Sequence, residues 1–319
     1  MQCPNQSYTQ LILLALLLAL SSCNKNAPQA NNDQASVRQP SIDFGELQRL
    51  YDYDRDAPLD LKEHLSEDKN GLKTLDVSYL SPKGGRVPAY LIVPPGKGLF
   101  AGVIFMHPAG RDIGRSYFLD EAIELSKRGV VSILIDAPFA RPSAQPLLTF
   151  TEQDREGFIQ GVVDLRRAVD ALLARGDVDD GRIGYVGFSY GATVGGILTG
   201  VEKRIKAFVL MGGGPKLTTW LRTLQDPRVA RLREEGKLNA YLNLMSSIDA
   251  DGYVSHAAPA TILFQSGRYD ENVTQERATQ YHQAASDPKE VKWYDAGHSL
   301  NEEARRDHAE WLIRTLDVK

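Results

Sequence analysis

The chain has 319 residues, of which 42% are apolar and 24% charged, and its formal net charge is −4. That length allows one large domain or two small ones, and the composition is that of an ordinary globular protein. A mildly acidic balance without any basic run argues against nucleic acid as a partner.

The first predicted element is a targeting segment. "LILLALLLAL" at 11–20 is too short to span a bilayer. It fits the apolar region of a signal peptide followed by small residues, and we expect such a peptide over 1–22. "LSSC", Leu20 to Cys23, resembles the lipobox of bacterial lipoproteins, although no Lys or Arg precedes the apolar run. The resemblance implies a lipid on Cys23 and an exported chain anchored at a bacterial cell membrane, on its periplasmic or cell-surface side. An ordinary signal peptide and a mis-assigned start are the alternatives. The two cysteines, Cys3 and Cys23, both lie at or before the processing site, so no internal disulfide is expected. Residues 24–40, "NKNAPQANNDQASVRQP", are polar and aperiodic and bury too little surface to fold. With Cys23 they read as a flexible tether over 23–40, whose root-mean-square reach is about 20–25 Å.

Residues 41–319 read as one domain. Scattered apolar residues over 41–70 suggest one or two short helices on its surface. From residue 72 the chain becomes regular. "LKTLDVSYL" (72–80) alternates as a half-buried strand does, and "RVPAYLIVP" (86–94) follows it after a turn-rich link to complete a hairpin. "AGVIFMHP" (101–108) and "VVSILIDAP" (130–138) are continuous apolar runs, expected of strands buried on both faces. Between them, 116–129 has helical spacing and stops at Gly129. A long amphipathic helix is predicted over 152–176. "GRIGYVGFS" (181–189) is a strand, "YGATVGGILTG" (190–200) a small-residue helix and "IKAFVLMGG" (205–213) a strand. A less regular charged section covers 214–258. A strand (258–267), a helix (273–285), a strand (289–297) and a closing helix (301–316) complete the chain. Eight strands that mostly alternate with helices predict an α/β architecture: a mostly parallel sheet covered on both faces.

Ligand sites in such sheets form at the carboxyl ends of the strands. Four chemically suggestive stretches fall there: "HPAGRD" after the third strand, Ser189 after the fifth, "GRYDENV" after the seventh and "AGHSL" after the eighth. Ser189 sits in "GFSYG", between a predicted strand and a predicted helix, which is the context a nucleophile elbow requires. The chain order is Ser189, Asp270, His298. From about residue 70 to 317 this pattern resembles the α/β-hydrolase fold. Among its members it is similar to esterases near the dienelactone-hydrolase and acetyl-xylan-esterase groups. Dienelactone hydrolase itself carries a cysteine nucleophile, where this chain has serine.

The resemblance implies a triad with Ser189 as nucleophile, His298 as base and then acid, and Asp270 orienting the imidazole. Gly187 and Gly191 suit an elbow because the turning strand and the helix meet there with no room for side chains. Six histidines occur. His282 and His308 fall within helical patterns and read as surface residues. His64 precedes the core, His107 ends the third strand and reads as shaping the oxyanion loop, and His256 lies in the irregular section. Glu271 and Asp295 are the alternative acids. The oxyanion hole is expected to combine the N–H of Tyr190 with that of Ala109, or of Gly110 next to it, since Pro108 has no N–H. No phosphate loop, dinucleotide fingerprint or clustered metal-ligand set is found, so neither a cofactor nor a metal is expected. The expected function is hydrolysis of small-molecule carboxylic esters through an acyl-enzyme. A peptidase or amidase of the same fold and a non-catalytic binding lipoprotein are the alternatives. Section 214–258 is a candidate lid, with Trp220 and Leu221 as lid-facing candidates and plain core residues as the alternative for each. The oligomeric state is not legible.

Overall fold

The computed structural model describes residues 43–142 and 144–319. The expected signal segment 1–22, the anchor Cys23 and the tether 23–40 lie outside the described residues. Nine strands are described: β1 (Lys62–Lys69), β2 (Leu72–Leu80), β3 (Arg86–Val93), β4 (Phe100–Met106), β5 (Val130–Ile135), β6 (Val178–Phe188), β7 (Ile205–Met211), β8 (Thr261–Gly267) and β9 (Lys289–Tyr294). The α-helices are α1 (Phe44–Arg49), α2 (Leu119–Ser126), α3 (Glu152–Leu173), α4 (Tyr190–Val201), α5 (Leu217–Thr223), α6 (Pro227–Glu234), α7 (Leu238–Met245), α8 (Asp251–Val254), α9 (Gln275–Ala284) and α10 (Glu302–Thr315). None of the described helices is long and apolar enough to cross a membrane.

All nine strands form one sheet in the order β1-β2-β3-β5-β4-β6-β7-β8-β9. The pairs from β1 to β5 along that order are antiparallel, and those from β5 to β9 are parallel. Successive side chains of a strand point to opposite faces, and β4 follows that rule residue by residue. Val103 and Phe105 join a core with Phe118, Leu125 and Trp311 from α2, α10 and the turn before α2. Ile104 and Met106 join a second core with Ile159, Val163 and Ile197 from α3 and α4. Helices thus cover both faces, and each fully buried aliphatic side chain contributes about 1.5–3 kcal/mol.

Parallel register brings the strand ends level. Met106 pairs with Gly187, Phe188 with Met211, Met211 with Gln265, and Gly267 with Tyr294. The loops after β4, β6, β8 and β9 therefore open at the same border of the sheet.

The sheet has nine strands where eight are expected. Among the described residues of the segment 41–70, only Phe44–Arg49 is α-helical, and Lys62–Lys69 forms the extra strand β1. All eight residues of β1 are exposed, so it carries no apolar face that periodicity could reveal. Its pairing comes from backbone hydrogen bonds to β2 through an Asn70-Gly71 turn, with φ of 57° and 83°. Asn-Gly is the strongest short-range hairpin signal, because both central residues of that turn need positive φ.

Two histidines expected at the surface are buried. His308 lies between Gln265 Oε1 (2.9 Å from Nδ1) and Glu121 Oε1 (2.5 Å from Nε2), tying α10 to α2. His282 stands beside the rings of Phe264 and Trp293, with Nε2 3.2 Å from Ser266 Oγ. Each falls on the inner face of its helix, where polar atoms of the sheet and of α2 accept or donate to it.

Candidate active site

Strand β6 ends at Phe188, α4 begins at Tyr190, and Ser189 is the single residue between them. Its φ is 54° and ψ −106°, a conformation that costs a residue with a Cβ about 1–3 kcal/mol. The surroundings hold it there. The Ser189 N–H donates to the Met211 carbonyl at 2.8 Å, and its own carbonyl accepts from Thr193 N–H at 3.0 Å. A Cβ on Gly187 would lie 2.4 Å from the Gly191 carbonyl oxygen, and one on Gly191 would lie 2.2 Å from Met106 O. The glycines of "GFSYG" are thus required by close backbone approach.

The side chains that converge on Ser189 come from two other strand ends. His298 Nε2 is 2.9 Å from Ser189 Oγ, and His298 Nδ1 is 2.8 Å from Asp270 Oδ2. The second carboxylate oxygen of Asp270 accepts the N–H groups of Asn272 and Val273, each at 2.8 Å. Burial by itself would raise the Asp270 carboxyl, but the His298 hydrogen bond and the two backbone donors outweigh it and hold it below its usual range. An ionised Asp270 accepts from Nδ1–H, which leaves the Nε2 lone pair toward the serine hydroxyl. The three groups form one continuous chain with the polarity a nucleophilic serine needs.

The competing candidates lie away from this chain of groups. Asp295 is exposed and pairs with Arg268 at 3.0 Å. Glu271 is exposed. His64 is 2.7 Å from Ser78 Oγ at the β1–β2 edge, and the His256 ring stacks on Phe44 with centroids 3.6 Å apart. His107 is buried, and its Nε2 accepts the Ala137 N–H at 3.0 Å. That bond leaves the proton on Nδ1, which donates to the Pro108 carbonyl at 2.8 Å. The ring therefore fixes the peptide that carries the Ala109 N–H.

A cavity of about 280 Å³ opens over the serine. Ala109 and Tyr190, expected to carry the oxyanion donors, both line it together with Ser189 and His298. Section 214–258 forms α5 to α8 and supplies Lys216, Leu217 and Trp220 to the wall. Leu221 does not reach the cavity and is fully buried in the core. Leu147, Leu148 and Arg277 also line it. The sequence offered a signal for the first two, an apolar pair in a polar loop ("QPLLTF"), but none for Arg277. Among the described residues, no group of three or more His, Cys, Asp or Glu could hold a metal ion.

No protein-family model matches the sequence, and a search of curated proteins finds no match either. Solved structures do match. Acetyl xylan esterase 1 from Thermoanaerobacterium sp. JW/SL YS485 superposes with a TM-score of 0.74 at 16% identity, over 86% of this chain and 94% of that one. An acetyl xylan esterase from Paenibacillus sp. R4 gives 0.70 at 19% identity, over 86% and 92%. An α/β hydrolase from Penicillium sp. sh18 gives 0.58 at 15% identity, over 76% and 98%. Sequence divergence this deep leaves shape as the common property. The parallel strand order, the helices on both faces and the elbow after β6 give this chain the α/β-hydrolase fold.

Proposed function

We propose that this chain is a serine esterase that cleaves carboxylic esters through an acyl-enzyme. The observation that carries the reading is the unbroken chain Asp270–His298–Ser189, closed at 2.8 and 2.9 Å on a serine held at φ 54°. Ser189 Oγ attacks the ester carbonyl while His298 Nε2 takes its proton. Asp270 stabilises the imidazolium so formed. The carbonyl oxygen gains negative charge, which the N–H groups of Tyr190 and Ala109 would stabilise by about 3–4 kcal/mol each. Collapse expels the alcohol, which receives the proton from His298. Water then repeats the sequence on the acyl-serine and restores the enzyme. The similar solved structures, acetyl xylan esterases among them, favour an ester over an amide. Labelling with a fluorophosphonate tests the reading, because only an activated serine reacts. Stoichiometric labelling of Ser189, together with turnover of short-chain esters, is the expected result. An unlabelled, folded protein would leave a non-catalytic binding lipoprotein as the better reading, and preferential cleavage of aminoacyl amides would favour a peptidase.

We also propose that Cys23 is lipidated and anchors the enzyme to a bacterial membrane, on the strength of the "LSSC" pattern after an apolar run. Fatty-acid labelling of the wild type and its loss in Cys23→Ser are the expected results.

A further inference from the structure

An arginine with no ion pair among the described residues lines the cavity. Arg277 lies in the first turn of α9, where the positive end of the helix dipole opposes its charge. Its Nη1 donates to the Asn272 carbonyl at 2.8 Å. Its Nε is shut off from solvent and has no hydrogen-bond partner. Burial pushes the guanidinium below its usual range, and the Asp270 charge only partly offsets this. Asp270 is already held by His298, Asn272 and Val273, and among the described residues no Asp or Glu forms an ion pair with Arg277. Other buried or half-buried arginines differ: Arg141 is paired with Asp164, Arg166 with Glu202, and Arg204 with both Glu202 and Asp170.

The rest of the wall agrees in sign. No Asp or Glu lines the cavity, while Lys216 does. The Lys216 ammonium is matched by Asp251 at 3.2 Å, which leaves Arg277 as the cavity-lining cation without a direct ion pair among the described residues. A Cβ on Gly214, also in the wall, would lie 3.0 Å from Arg277 Nη2, so glycine there keeps the space beside the guanidinium open. A buried charged donor without an acceptor is unfavourable, and a planar guanidinium is matched in shape and charge by a carboxylate.

We propose that the preferred substrates are esters that also carry a free carboxylate, and that Arg277 binds this carboxylate. The proposal rests on the serine-esterase reading above. It is tested with matched esters that differ only in that charge. One pair puts the carboxylate in the alcohol part, meta-acetoxybenzoate against meta-acetoxybenzamide. The other puts it in the acyl part, monoethyl succinate against ethyl succinamate. In at least one pair kcat/KM should favour the acid roughly tenfold or more. Arg277→Gln should bring that ratio close to one by raising KM for the acid, and Arg277→Lys should restore part of it. The acid product of the favoured pair, meta-hydroxybenzoate or succinate, should also bind to Ser189→Ala in a calorimetric titration and not to Ser189→Ala/Arg277→Gln. Equal turnover of acid and amide in both pairs, or an Arg277→Gln variant that slows both members alike through kcat, would overturn the proposal and leave the esterase intact. Absence of turnover and of fluorophosphonate labelling would remove the esterase reading itself.

Discussion

Strand β1 lies at one edge of the sheet with all eight residues exposed, whereas β6 runs between β4 and β7 and is buried from Ile183 to Phe188. Backbone hydrogen bonds to a single neighbour hold β1, and its side chains add the His64–Ser78 hydrogen bond and an exposed Lys62–Asp60 pair. Around the end of β6, by contrast, the main chain of β4, α4 and β7 approaches so closely that Gly187 and Gly191 admit no substituent and Ser189 is held at positive φ. Strain can persist only where the surroundings over-determine the backbone. The middle of a parallel sheet offers that; an exposed edge does not. The candidate chemistry sits where the fold is least tolerant.

Substitutions can break this contrast, and the largest effect is expected at its centre. Ser189→Ala deletes only the attacking oxygen and should lower esterase kcat by roughly a millionfold without unfolding the chain; near-wild-type turnover would detach the strained elbow from catalysis. Asp270→Asn should cost about ten-thousandfold by favouring the wrong imidazole tautomer. Asp295→Asn removes an exposed pair with Arg268 and should change kcat by less than about fivefold. The opposite ranking would move the acid to the last strand.

Stability should follow the same gradient. Gly191→Val places a side chain where a Cβ already meets Met106 O at 2.2 Å, and should cost about 3 kcal/mol or more in denaturant unfolding. His282, on α9 against the sheet, is an intermediate case. Burial first, and then Lys289, push its pKa from 6.5 down to about 4. The unfolded chain takes up this proton near its ordinary pKa, so the neutral imidazole's contribution is complete above pH 6.5 and is lost as pH falls toward about 4. His282→Gln should remove about 2–3 kcal/mol from the fall in unfolding free energy across that window; an unchanged pH slope would mean that the ring is not held neutral. At the other extreme, Leu65→Thr on β1, where Leu65 is 60% exposed, should shift stability by no more than about 0.5 kcal/mol. A cost near that of Gly191→Val would show that the edge is as constrained as the centre.

Much of the site was legible in one dimension because local pattern and chain order carry it. "GFSYG" between an apolar run and a small-residue helix announces a tight turn, and Asp270 and His298 follow at strand ends in the order the turn requires. Buried strands β4 to β8 declare themselves as apolar runs, since both of their faces are covered. Strand β1 was legible only through the Asn70-Gly71 turn that joins it to β2, because its exposed residues form no apolar face. It owes its existence to the exposed backbone of β2.

What tertiary structure alone decided was which polar groups meet. Helical spacing sets His282 and His308 on helices but does not say that their faces turn inward, because a single polar residue does not alter the period of its neighbours. Asp270 and Asp295 both lie near strand ends in the sequence; only the fold places one against His298 and the other against Arg268. Arg277 stands in an ordinary amphipathic helix and becomes distinctive only when that helix brings it to a cavity wall that carries no Asp or Glu. Ion pairing depends on distances across the chain, which no local pattern encodes, whereas turns, buried runs and the elbow are written in neighbouring residues.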